Sequence, residues 1–73
     1  MKFGDKVRKY RLENKWSVED LARITGLSVS AIKMYEYGLR TKPLSVAKMA
    51  LAGAFKVHPS MLEDDKEETT ENE

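Results

Sequence analysis

Apolar residues recur at helical spacing along most of the chain, and small polar residues or glycines cut that pattern into short units. Phe3, Val7 and Tyr10 fall on one stripe, which predicts a first helix from about residue 3 to residue 14 with Lys and Arg on its outer faces. Ser17 is a natural N-cap, and Asp20, three residues on, has the reach of a capping-box partner, so a second helix starts near Val18. Its buried contacts fall to Leu21 and Ala22, the latter small enough for close approach, while Arg23 points to water. Gly26 tolerates the positive φ of a tight helix stop, Leu27 tucks under the turn, and Ser28 caps a third helix that runs to a second glycine stop at Gly38. Two short helices meeting at a large angle are the expected result.

At about 100° per residue, Ile32, Tyr35 and Glu36 share one face of that third helix, while Ser30, Lys33, Met34 and Tyr37 share the other. The first face goes inward. The second carries a cation, a thioether, a phenol and a hydroxyl with no carboxylate, which suits a phosphate-rich partner. Residues 39–43 form a loop because Pro43 disfavours helix at Lys42. Arg40, Thr41 and Lys42 thereby follow directly on the third helix and are placed for sugar-phosphate contacts, unless they are an ordinary solvated loop. Ser45 is expected to cap a fourth helix through Phe55, with Leu51, Ala52 and Phe55 inward and Gly53 permitting close packing. His58 and Pro59 open a last short helix, in which Met61 and Leu62 add apolar surface.

Charge changes the picture once the chain is divided. The net charge of +1 over 73 residues is uninformative as a whole. Residues 1–62 hold twelve Lys or Arg against five Asp or Glu, a net of +7, whereas residues 63–73 hold seven acids against Lys66, a net of −6. The expected organisation is one folded basic domain, 1–62, followed by an acidic tail, 63–73, disordered beyond the last helical turn. The tail reads either as a solubilising end or as a competitor with DNA for the basic face. A domain this small has a modest core, which dimerisation would help stabilise. The absence of cysteine removes disulfides and thiolate metal sites and fits a reducing cytoplasm. No apolar run approaches a membrane span, and the N-terminus lacks a signal-peptide layout, so a mature, cytoplasmic protein is expected.

Residues 3 to 62 resemble the Cro/repressor-type helix-turn-helix family, the compact all-α, five-helix, lambda-repressor-like DNA-binding domain of phage repressors and many small bacterial regulators. The resemblance is carried by Phe3, Gly4, Val7, Arg8, Tyr10 and Arg11, by Trp16 and Ser17, and by Leu21, Ala22, Gly26, Leu27 and Ser28. It continues through Ile32, Tyr35, Glu36, Gly38, Pro43, Leu51, Ala52, Ala54, Phe55, Val57 and Leu62. It implies that Arg11 pairs with Glu36, tying the first helix to the recognition helix, and that the C-terminal helical region forms a homodimer contact. The chain departs from the family pattern in two places. Val18 stands where a glutamine usually helps to hold the DNA backbone, and it reads either as a better-packed helix start or as a change in recognition. Val29 and Ser30 stand where long polar side chains are common, which shifts base reading toward thymine methyls, Lys33 and the shape of the site.

The implied function is sequence-specific binding of double-stranded DNA by a transcription regulator, a repressor acting as a homodimer on an inverted repeat. Val29, Ser30, Lys33, Met34 and Tyr37 would face base edges in the major groove. Lys15, Ser17, Ser28, Arg40, Thr41 and Lys42 would hold backbone phosphates, with the helix N-termini at Ser17 and Ser28 adding amide donors. The competing class is a protein-interaction module of antitoxin or adaptor type on the same fold. Neither reading calls for a cofactor, a metal or a small-molecule ligand. The single His58 has no second histidine or cysteine to share a metal, and the four methionines are scattered. A nucleophilic serine has no well-placed base, and neither a Gly-rich phosphate loop nor paired catalytic carboxylates are present outside the tail, so an enzyme is not expected.

Overall fold

The computed structural model describes residues 1–65; the remaining acidic positions, 66–73, lie outside it, and the expectation of a disordered tail with them. Four α-helices follow one another: α1 (Phe3–Glu13), α2 (Val18–Thr25), α3 (Val29–Glu36) and α4 (Ser45–Phe55). A closing 3-10 helix spans Pro59–Leu62, and no strand occurs among the described residues. The architecture is therefore all-α with four α-helices. The expected fifth is a four-residue 3-10 turn, held by the Nδ1 of His58, which accepts from Ser60 N–H at 3.1 Å. Its single buried residue is Leu62. One buried side chain needs only one turn, and the acids that follow are drawn off toward α1, so nothing extends the helix.

Phe3 and Val7 of α1, Leu21 and Ala22 of α2, Ile32 and Tyr35 of α3, and Leu51, Ala52 and Phe55 of α4 converge on one core with Ala47 and Leu62. Phe3 meets the Tyr35 ring edge to face, with centroids 5.2 Å apart. At the other end Phe55 lies between Tyr10 and Trp16, at 5.3 and 6.2 Å, both near parallel. Two expectations about α4 need correction. Ser45 makes no cap: the extended residue at the N-cap is Leu44, which follows Pro43, and its carbonyl accepts the first helical bond, from Lys48 N–H at 3.0 Å. Gly53 faces solvent, and a methyl added there would meet no atom within 4 Å, so it serves no close contact within the chain.

The close approach occurs at Gly4 instead. A Cβ there would lie 1.9 Å from the carbonyl oxygen of Tyr35, so the bare backbone of α1 rests directly on the last turn of α3. This contact sets how far the third helix stands out from the body of the domain.

Candidate nucleic-acid interface

The corner between α2 and α3 is built by local chemistry. Ser17 Oγ accepts from Asp20 N–H, and Asp20 Oδ2 accepts from Ser17 N–H, both at 3.0 Å, which completes a capping box at the start of α2. The backbone bond from Ser17, followed by the Arg23 guanidinium 2.8 Å away, holds the Asp20 carboxyl below its ordinary pKa. Gly26 closes α2 at φ +80°, its N–H donating to Ala22 O at 2.8 Å. Ser28 Oγ then accepts from Ala31 N–H at 3.0 Å and opens α3. Each serine satisfies one of the first-turn amides that a helix leaves unpaired, and both serines are exposed.

The far end of α3 is equally defined. Gly38, at φ +79°, donates to Tyr35 O at 3.1 Å and Leu39 N–H donates to Met34 O at 2.9 Å, the paired bonds of a Schellman stop. Arg40 N–H also donates to Met34 O, at 3.1 Å, so residues 39 and 40 are anchored to α3. The Arg40 guanidinium lies 5.8 Å over the Tyr35 ring, and Thr41 and Lys42 are exposed beside it.

Between these ends, Ile32 and Tyr35 are buried, while Ser30, Lys33, Met34 and Tyr37 are exposed, Tyr37 to 68%. Val29 differs from them. It is half-buried and packs against the core, leaving only part of its surface on the outward side. Val18 likewise packs on the core at the start of α2. Lys15 is exposed in the turn before α2, where it takes φ +60° to close a Schellman stop on α1, with Trp16 N–H donating to Arg11 O at 3.1 Å.

Arg11 joins these parts. Its Nε and Nη2 donate to the two carboxylate oxygens of Glu36 at 2.7 and 3.0 Å, and its Nη1 donates to Trp16 O at 2.8 Å. One guanidinium thus holds the end of α3 and the approach to α2 in register. The hydrogen bond to Glu36 raises the Arg11 pKa, and only 4% of the Glu36 side chain is exposed. The carboxylate of α3 is thereby neutralised on the inner side.

A helix-turn-helix family model matches residues 7–62. The chain belongs to that helix-turn-helix family. Solved structures of similar fold agree with it. A chain of the SinR/SinI protein complex is 28% identical, with a TM-score of 0.83, and is matched over 92% of the present chain and 65% of its own length. The restriction-modification controller protein C.AhdI from Aeromonas hydrophila is 33% identical over 82% of this chain and 89% of its own, with a TM-score of 0.76. The P22 c2 repressor, solved with a synthetic operator, is 25% identical over 88% of this chain and 96% of its own, with a TM-score of 0.80. This chain spans about two thirds of the SinR/SinI chain and most of the other two. No curated protein sequence matches it.

Two features of the helix-turn-helix support were not found from sequence. Lys2 sits at the N-cap of α1 without an acceptor side chain, and Asp64 supplies one, its Oδ1 accepting from Phe3 N–H at 2.6 Å. Asp65 pairs with Lys6 at 2.9 Å and with the terminal ammonium, contacts that hold its carboxyl down to about 2. Residues 63–65, assigned to the acidic tail on sequence, are thus fastened to the domain. Among the described residues, no group of three His, Asp or Glu is placed to hold a metal, and no helix is long and apolar enough to cross a membrane.

Proposed function

We propose that this protein is a sequence-specific, double-stranded DNA-binding transcription regulator, a repressor that acts as a homodimer on an inverted repeat in the cytoplasm, without cofactor or catalytic activity. The observation that carries the reading is the outward side of α3, exposed and free of carboxylate, set between the capped start of α2 and a basic loop anchored to its own last turn. Ser30, Lys33, Met34 and Tyr37, with the free part of Val29, read base edges in the major groove. Lys15, Ser17, Ser28, Arg40, Thr41 and Lys42 hold phosphates on either side, helped by the first-turn amides of α2 and α3. The bound operator of the P22 c2 repressor, a protein of the same fold, supports DNA as the partner.

The homodimer reading draws on the C-terminal half of the domain. Val46 and Met49 on α4 and Met61 on the closing turn are more than half exposed, an apolar surface that an isolated small domain gains by burying. A second copy there places two recognition helices on half-sites about one helical turn apart. Gel shifts against the DNA flanking the protein's own gene, at two salt concentrations, test the function. Binding to a two-half-site duplex that weakens with salt is expected, and failure to bind any duplex at low salt would turn the reading toward a partner-binding module.

A further inference from the structure

A groove of about 450 Å³ runs between the first turn of α1 and residues 40–42, and six charged side chains line it: Lys2, Arg40 and Lys42 against Asp5, Glu36 and Asp64. Glu36 is engaged by Arg11, and Asp5 Oδ2 lies against the Lys2 amide at 3.4 Å, within the first turn of its own helix. Asp64 is the carboxylate that comes from elsewhere. It enters from the chain's acidic segment and takes the Phe3 amide at 2.6 Å. Its neighbours hold it in place from both sides. The Glu63 carbonyl accepts from Lys6 Nζ and the Glu63 carboxylate from Lys48 Nζ at 3.3 Å, while Asp65 pairs with Lys6 and donates its N–H to Met1 O at 3.1 Å.

A first-turn amide flanked by Lys and Arg is also what a DNA phosphate uses. A fixed carboxylate in the same groove both occupies that amide and repels phosphate within a Debye length of about 10 Å. We propose that residues 63–65 form an autoinhibitory strap, in which Asp65 fastens the segment to Lys6 while Asp64 holds negative charge beside residues 40–42 and weakens the binding of DNA backbone phosphate there. The proposal rests on the reading of residues 40–42 as a phosphate-contacting loop. The low pKa of Asp65 keeps its pairing with Lys6 charged, and so the strap fastened, at any working pH. The effect is independent of sequence, because it acts on the backbone and touches no base.

Asp64→Asn isolates the charge, since asparagine still offers an oxygen to the Phe3 amide and is a good cap. The parent, this variant and the double variant Asp64→Asn/Asp65→Asn are titrated into a labelled random-sequence duplex by fluorescence anisotropy. The strap predicts affinities about threefold or more tighter at about 50 mM salt, with the gap narrowing by about 200 mM, and a melting temperature for Asp64→Asn close to the parent's. Affinity that is unchanged or weaker in Asp64→Asn, with the parent binding normally, overturns the strap alone. Absence of binding by every form overturns the DNA-binding reading with it.

Discussion

At the scale of single residues, the placement of α3 depends on a side chain that is absent. Gly4 lets α1 rest on the Tyr35 carbonyl, and backbone on both sides leaves little room to yield. Gly4→Ala is expected to cost about 2–3 kcal/mol, as overpacking does, and to weaken DNA binding by displacing α3; an unchanged urea midpoint would remove this role. Lys56 ends α4 at φ +60°, a conformation that costs a residue with a Cβ about 1 kcal/mol or more. Lys56→Gly is therefore expected to raise stability by up to about 1 kcal/mol, measured by denaturation, with no change in DNA affinity. The sequence made some of these residues legible and hid others for a physical reason. Ser17, Gly26, Ser28 and Gly38 act on amides within a few positions of themselves, and so their roles follow from local chemistry. Gly4 and Asp64 act on partners far along the chain, Asp64 on an amide 61 positions away, which no local pattern reports.

At the scale of elements, α1, α2 and α3 begin where a side-chain acceptor meets the first amides, and the acceptor is not always nearby in sequence. α2 and α3 use their own serines, whereas α1 borrows Asp64 and α4 starts from the extended backbone after Pro43 without a side-chain cap. The closing turn stays short because only Leu62 needs cover. Acid tests the borrowed contacts. The folded-state pKa of Asp65, about 2, lies below the ordinary aspartate value near 4, and that of Asp20 is also lowered. Such groups contribute stability above about pH 4 that is lost as pH falls toward 2. Melting temperature should therefore drop across that window, and Asp65→Asn should flatten the drop; an equal slope in the variant would deny Asp65 a part in it.

At the scale of the whole molecule, the decisive property is the division of charge rather than its sum: residues 1–62 carry +7 and residues 63–73 carry −6, and the first three of those acids are fastened back onto the domain. If the outward side of α3 reads bases and the following loop holds phosphate, two substitutions separate the roles. Lys33→Ala should relax preference at one operator position, at a cost of about 1–3 kcal/mol for the matched base. Arg40→Ala should weaken every duplex alike and reduce the salt slope by about one. The reverse pattern in a panel of operator variants would overturn both assignments. Trp16, the chain's single tryptophan, offers a way to watch these events apart from one another. Its ring is stacked on Phe55 at the back of the core, while its carbonyl is gripped by the same guanidinium that holds the end of α3. The molecule thus carries its own optical gauge at the joint between α1, α3 and the turn into α2. A change in indole emission on adding DNA, with the core intact, would register strain passing backward through Arg11, whereas full exposure of the ring would register unfolding.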